Sequence, residues 1–207
     1  MAGNKITSLH EDLFRNSLQL QSVILSYNRI IYIHPLIFRN NSRLRQLHIS
    51  GNKINSIQPD TFIYNMELEW LDLEGNNISD VHPSTFQNNF WLWYLKMSGN
   101  KINSIHPDMF IHSRLLQWLD LKGTNISAVH PSTFQNNNML SHIDMSGNKI
   151  NLIQPDTFIH NTELEWLDLR GNSITDVHTS AFQNNIKIEH LDLSTNLLNV
   201  IYSNTFQ

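Results

Sequence analysis

The sequence predicts an α/β solenoid, with a parallel β-sheet on the concave face and short helical or 3-10 turns and loops on the convex face. Three observations carry the prediction. The stretch LEWLDLEGNNISDVHPSTFQNNFW at residues 68–91 returns at residues 116–139 and 164–187, each time 48 residues on. A sister version fills the intervals, at residues 44–67, 92–115 and 140–163, so the period is 24 with two alternating flavours. Units carry the spacing L-x-x-L-x-L-x-x-N, followed by Ile, Ile or Val, and Phe in fixed register. No unit can bury its own apolar side alone, whereas stacked units share one continuous core.

Within a unit, Leu68-Glu69-Trp70-Leu71-Asp72-Leu73 alternates, which predicts a short strand with Leu71 and Leu73 inward and Trp70 and Asp72 outward. Units run in one sense, so nine such segments stack in parallel, with a sheet edge on the order of 40 Å long. Asn76 and its equivalents Asn4, Asn28, Asn52, Asn100, Asn148, Asn172 and Asn196 follow the strands. An amide there satisfies orphan backbone groups of the turn, which predicts a ladder with a weaker rung at the one exception, Thr124. Glycines from Gly51 to Gly171 precede it in six successive units and relieve crowding at the turn. Ile78 and Val81 carry the chain round the bend. His82-Pro83-Ser84-Thr85 suits the first turn of a short helical segment. The Phe column, Phe14 to Phe206 at every 24th residue, predicts an aromatic spine stacked edge to face.

The organisation read from this is one solenoid domain over residues 1–207. It comprises a partial repeat at 1–19, full repeats at 20–43, 44–67, 68–91, 92–115, 116–139, 140–163 and 164–187, and a partial repeat at 188–207. Residues 1–6 align with 97–102, so the chain enters and leaves in mid-unit without polar capping units, which predicts an internal piece of a longer protein or a truncated gene product. A 40% hydrophobic, 15% charged composition fits a folded chain, and a net charge of −4 gives no general pull toward nucleic acid. Apolar runs are too short for direct membrane insertion. The absence of cysteine is compatible with either redox compartment in mid-array.

These residues closely resemble the leucine-rich repeat family, in particular the 24-residue class found in animal extracellular proteins such as Toll-like receptors and Slit-like proteins. The shared pattern is Leu, Leu, Leu, Asn, Ile, Ile or Val, and Phe over essentially the whole chain. The resemblance implies a non-catalytic module that binds a protein ligand through its concave strand face, with an extracellular or cell-surface location and roles in recognition or adhesion. The chain departs three residues after each Phe, where Leu is usual and Asn41, Asn65, Asn89, Asn137, Asn161 and Asn185 stand. That departure predicts a more polar convex side.

Binding information then lies in the outward strand positions. One column runs Trp70, Tyr94, Trp118, His142, Trp166 and His190, flanked by Trp93. Large exposed aromatics are enriched at interface hot spots, so the column reads as a contact stripe, or else as cross-strand stabilisation copied by duplication. Its neighbour is Asp72, Lys96, Asp120, Asp144, Asp168 and Asp192, an acidic strip for a basic partner or the ordinary wording of this family's strand. A straight ladder does not converge ligands on a metal. His10, His34, His82, His106, His130 and His178 share one turn slot and read as solvated residues rather than a pH-responsive ladder or a zinc cluster. Sequons at Asn40, Asn77 and Asn125 are candidate N-glycosylation sites in a secreted chain. No nucleophile and base constellation, phosphate loop or cofactor motif is expected, so the reading is not an enzyme and no cofactor. The competing reading is an adhesive scaffold that self-associates through uncapped solenoid ends.

Overall fold

A computed structural model describes residues 1–202 and Thr205. Eight three-residue strands, Ser22–Ile24, Gln46–His48, Trp70–Asp72, Tyr94–Lys96, Trp118–Asp120, His142–Asp144, Trp166–Asp168 and His190–Asp192, form one parallel sheet in chain order. Every pairing is offset by one unit, as in Trp70↔Tyr94 and Tyr94↔Trp118. The chain is therefore a solenoid, almost without helix, and its sheet edge is about 34 Å long.

The strands are shorter and fewer than the alternation predicts. Only the middle of each Leu-x-x-Leu-x-Leu run is strand, although the ladder continues through bonds such as Leu73 N–H to the Lys96 carbonyl at 2.8 Å. Among the described residues the first unit has no strand, because it begins after the Leu-x-x-Leu half that would form one. Two small parallel pairs appear beyond the bend, Ser56–Ile57 with Asp80–Val81 and Leu152–Ile153 with Asp176–Val177. They arise where descending chains lie side by side, with Ile57, Val81, Ile153 and Val177 inward.

The convex side is built of turns, with a single 3-10 helix, Pro83–Phe86, among the described residues. Six of these turns start on a histidine, while Gln58 and Gln154 take the same slot in two others. The Nδ1 atoms of His10, His34, His82, His106, His130 and His178 accept the backbone N–H two residues on, at 3.1 to 3.2 Å. These side chains are thus turn caps as well as largely solvated groups. A backbone N–H is the donor, so Nδ1 holds the lone pair and the neutral ring's proton sits on Nε2. That tautomer offers no free lone pair outward to a metal.

The phenylalanines form a spine, but the rings are parallel and offset instead of edge to face. Neighbours from Phe62 to Phe182 lie 6.0 to 6.4 Å apart with interplanar angles of 6 to 15°. One rotamer repeated by near-translation forces near-parallel planes. Phe206, the expected last member, lies outside the described residues.

Two asparagine ladders flank this core. In the first, Asn76 donates to the carbonyls of Ile49 and Leu73 and accepts from Ile54 N–H, and Asn100 repeats the set one unit on. The second is a correction to the expected polar convex surface. Asn41, Asn65, Asn89, Asn137 and Asn161 are fully buried, and each donates to two carbonyls of the preceding unit, as Asn65 does to Phe38 at 3.1 Å and Asn41 at 2.9 Å. An amide in the usual leucine slot exchanges apolar packing for bonds that tie one unit to the next.

Thr124 interrupts the first ladder. Its hydroxyl faces the Leu121 carbonyl and Asn148 Oδ1, and Asn125 N–H is drawn to Asn148 Oδ1 as well. The bond from Ile102 N–H to a rung side chain, made by Ile54 to Asn76 and by Ile78 to Asn100, has no counterpart here. Thr124→Asn restores it. We expect a stabilisation of about 1–2 kcal/mol, the net worth of one or two buried hydrogen bonds, read as a higher urea midpoint.

Candidate functional site

The short strands set the concave face. Their central residues, Leu47, Leu71, Leu95, Leu119, Ile143 and Leu167, are buried, so the residues on either side point outward by the two-residue alternation. The predicted aromatic column is continuous. Its rings stack on one another in tight pairs, Trp70 with Tyr94 at 3.4 Å, Trp118 with His142 at 3.4 Å and Trp166 with His190 at 3.6 Å. Between pairs the centroids are 5.8 and 5.5 Å apart. The parallel strand spacing lies between these values, so the rings lean alternately together and apart.

Trp93 joins edge-on against Trp70 at 5.4 Å, and His48 extends the stripe by a tilted contact with Trp70 at 5.9 Å. His48 belongs to the aspartate register and reaches the stripe diagonally, which is why column reading missed it. Trp70 itself is half-buried with its indole N–H unpartnered, whereas Trp118 and Trp166 keep 37% and 39% of their surface. Within the column itself Trp118 and Trp166 are the most accessible, and the flanking Trp93 keeps 36%.

The aspartate column has a structural task. Asp72, Asp120, Asp144, Asp168 and Asp192 each accept the backbone N–H two residues on, at 2.8 to 3.0 Å, just before the turn. At that turn the glycine slot has positive φ in every unit from Gly51 to Gly171. Burial pushes the Asp120 carboxyl up, against bonds from Lys122 N–H and the Ser98 hydroxyl. Lys96 interrupts the column; burial works to lower its pKa, yet its contact with Glu74 at 2.7 Å and the field of Asp120 leave it raised. Arg170 lies 3.5 Å from Asp168 and 3.7 Å from Asp192. Among the described residues no group of histidine and carboxylate side chains has a metal-holding arrangement.

Burial among its ring neighbours lowers His142 to about 4, with Asp144 opposing and His190 assisting. The folded pKa lies below the ordinary 6.5, so the unfolded chain takes up the proton first. The stability from neutral burial is full above pH 6.5 and is lost as pH falls toward 4. Because the ring is only half-buried, we discount the loss to about 1 kcal/mol. His142→Phe should lose less than the wild type between those pH values in urea unfolding.

The sequons at Asn40 and Asn77 are exposed, while Asn125 is half-buried. Asn40 donates to the Arg15 carbonyl at 3.0 Å. A surface missed in the sequence lies where chains enter the strands: Met66, Phe90, Trp91, Leu115 and Met139 are exposed in successive units. Its signal was legible, since Phe90 and Trp91 replace the polar residues found at those positions in most other units.

The leucine rich repeat family profile matches residues 1–54, 18–78, 66–126, 116–174 and 162–207, and the chain belongs to that family. Its fold class is the one whose members are generally non-catalytic binding modules. No curated protein matches the chain. Among solved structures it is similar to TLR13 in a TLR13–ssRNA13 complex, with 27% identity, a TM-score of 0.87, and coverage of 96% of this chain and 28% of that one. A Leptospira interrogans leucine-rich repeat protein gives 20% identity, a TM-score of 0.86, and 95% and 48% coverage. The functional domain of InlJ from Listeria monocytogenes, described as including a cysteine ladder, gives 23%, 0.77, and 97% and 40%. The last two show the fold alone. The chain spans less than half the length of each.

Among the described residues no helix is long and apolar enough to cross a membrane.

Proposed function

We propose that residues 1–207 form one solenoid domain that binds a protein ligand without catalysis, through the concave face, in an extracellular or cell-surface recognition protein. The observation that supports this best is the pair Trp118 and Trp166, which keep more than a third of their surface on a sheet whose buried leucines and isoleucines point the other way. Such aromatics supply contact area at low entropic cost. Exposed sequons at Asn40 and Asn77 favour the extracellular location. TLR13 is seen with single-stranded RNA. For this chain a protein ligand fits better, because phosphates would meet Asp120, Asp144, Asp168 and Asp192 along the stripe.

The test is a screen of the chain against an array of purified secreted proteins and ectodomains, run beside Trp118→Ala/Trp166→Ala. The expected result is at least one partner whose binding weakens by about 2 kcal/mol or more in the variant. Partners held equally by both would place the contact elsewhere.

A further inference from the structure

The later strands carry a recess of about 440 Å³ lined by Trp118, His142, Trp166 and His190 together with Ser141, Glu165 and Glu189. Within it one face of each ring is taken up by the 3.4 and 3.6 Å pairs, so what the walls offer a ligand is ring edge, carbon interrupted by indole and imidazole nitrogen. The charged feature is the two glutamates. They immediately precede adjacent strands, with Glu189 N–H donating to the Glu165 carbonyl at 2.9 Å, and both are exposed. Like charges opposed across a parallel pair cost energy. Other glutamates at the entry to the strands each have a cation: Arg45 lies 3.5 Å from Glu69, and Lys187 lies 2.6 Å from Glu163. Among the described residues Glu165 and Glu189 have no ion-pair partner. The aspartates on the other side of the stripe already share Arg170, so they leave no spare cation for the recess.

Building on the concave-face reading, we propose that this recess takes an arginine side chain from an extended basic segment of the protein partner. The charge matches, and so does the shape. A planar guanidinium presents a fork of N–H donors that two neighbouring carboxylates can accept together, while the methylene stem lies along ring edges. Lysine has the charge without the fork, and a phosphate backbone has the wrong sign.

The probe is a short arginine-containing peptide, compared with its lysine and glutamine analogues and with oligouridylate, by fluorescence anisotropy at low and high salt. The arginine peptide should bind most tightly, weaken with salt, and lose about tenfold in Glu165→Gln/Glu189→Gln. Glu163→Gln, outside the recess, should leave it unchanged. Both glutamates are exposed, so the fold is retained and circular dichroism checks it. Equal affinity for the glutamine analogue, tighter binding of oligouridylate, or indifference to the double variant overturns the proposal. If array partners still depend on Trp118 and Trp166 while the arginine peptide fails, the concave-face reading stands and only the basic-segment inference falls.

Discussion

Phe110→Ala is expected to cost about 3–5 kcal/mol, the usual loss for truncating a buried phenylalanine. The ring is fully buried and sits between Phe86 at 6.4 Å and Phe134 at 6.2 Å, in the middle of the spine. Removing it opens a void between two rings that cannot collapse toward each other, since their spacing is fixed by the strands and by the amides of Asn100 and Asn137, although Ser113 interrupts the second ladder. In a solenoid, stability is a sum of units and nearest-neighbour interfaces, so the loss falls on the two interfaces that one unit makes. Urea unfolding followed by circular dichroism should show a lower midpoint. A broader or split transition would follow if the halves on either side of residue 110 uncouple.

Asn148→Ala is the second large effect, expected at about 3 kcal/mol. Its amide donates to the Leu121 and Met145 carbonyls, and its oxygen accepts from Thr124, Asn125 N–H and Ile126 N–H. Among the described residues no other rung carries as many acceptor contacts, because the Thr124 hydroxyl and Asn125 N–H both turn to this one. Alanine strands those N–H groups beneath the core, and each buried orphan costs about 1–3 kcal/mol. Hydrogen exchange reads the result directly: the Ile126 amide should lose protection while amides near Ile54 keep theirs. Unchanged exchange at Ile126 would contradict the ladder account.

Much of the fold was legible because it is periodic. Leu71, Asn76, Ile78 and Phe86 each have one task, repeated in register, so a single unit's chemistry gave the whole array. Errors arose where a residue's task depended on its neighbours in the next unit. Asn89 reads as polar surface within its own unit, yet it is buried because its amide reaches the Phe62 and Asn65 carbonyls one unit back. Phe rings were expected edge to face by pairwise preference, whereas translation along the array makes them parallel. The histidine slot looked merely solvated, and its Nδ1 contact to the backbone is a local device visible only in the turn geometry. In the candidate site the columns were legible and their balance of roles was not. Asp72 and its equivalents cap turns, Trp70 is half-covered by Tyr94 and Trp93, and the accessible surface shifts to Trp118 and Trp166.

That shift places the central claim on two tryptophans: the residues that hold the fold and those that meet a partner are separate sets. Calorimetric unfolding of Trp118→Ala/Trp166→Ala beside Phe110→Ala tests it most directly. The rings contribute cross-strand stacking, so the double variant should lose about 1–2 kcal/mol, keep the wild-type circular dichroism, and remain well above Phe110→Ala. A loss as large as that of Phe110→Ala would contradict the claim and make the stripe part of the structure's own support.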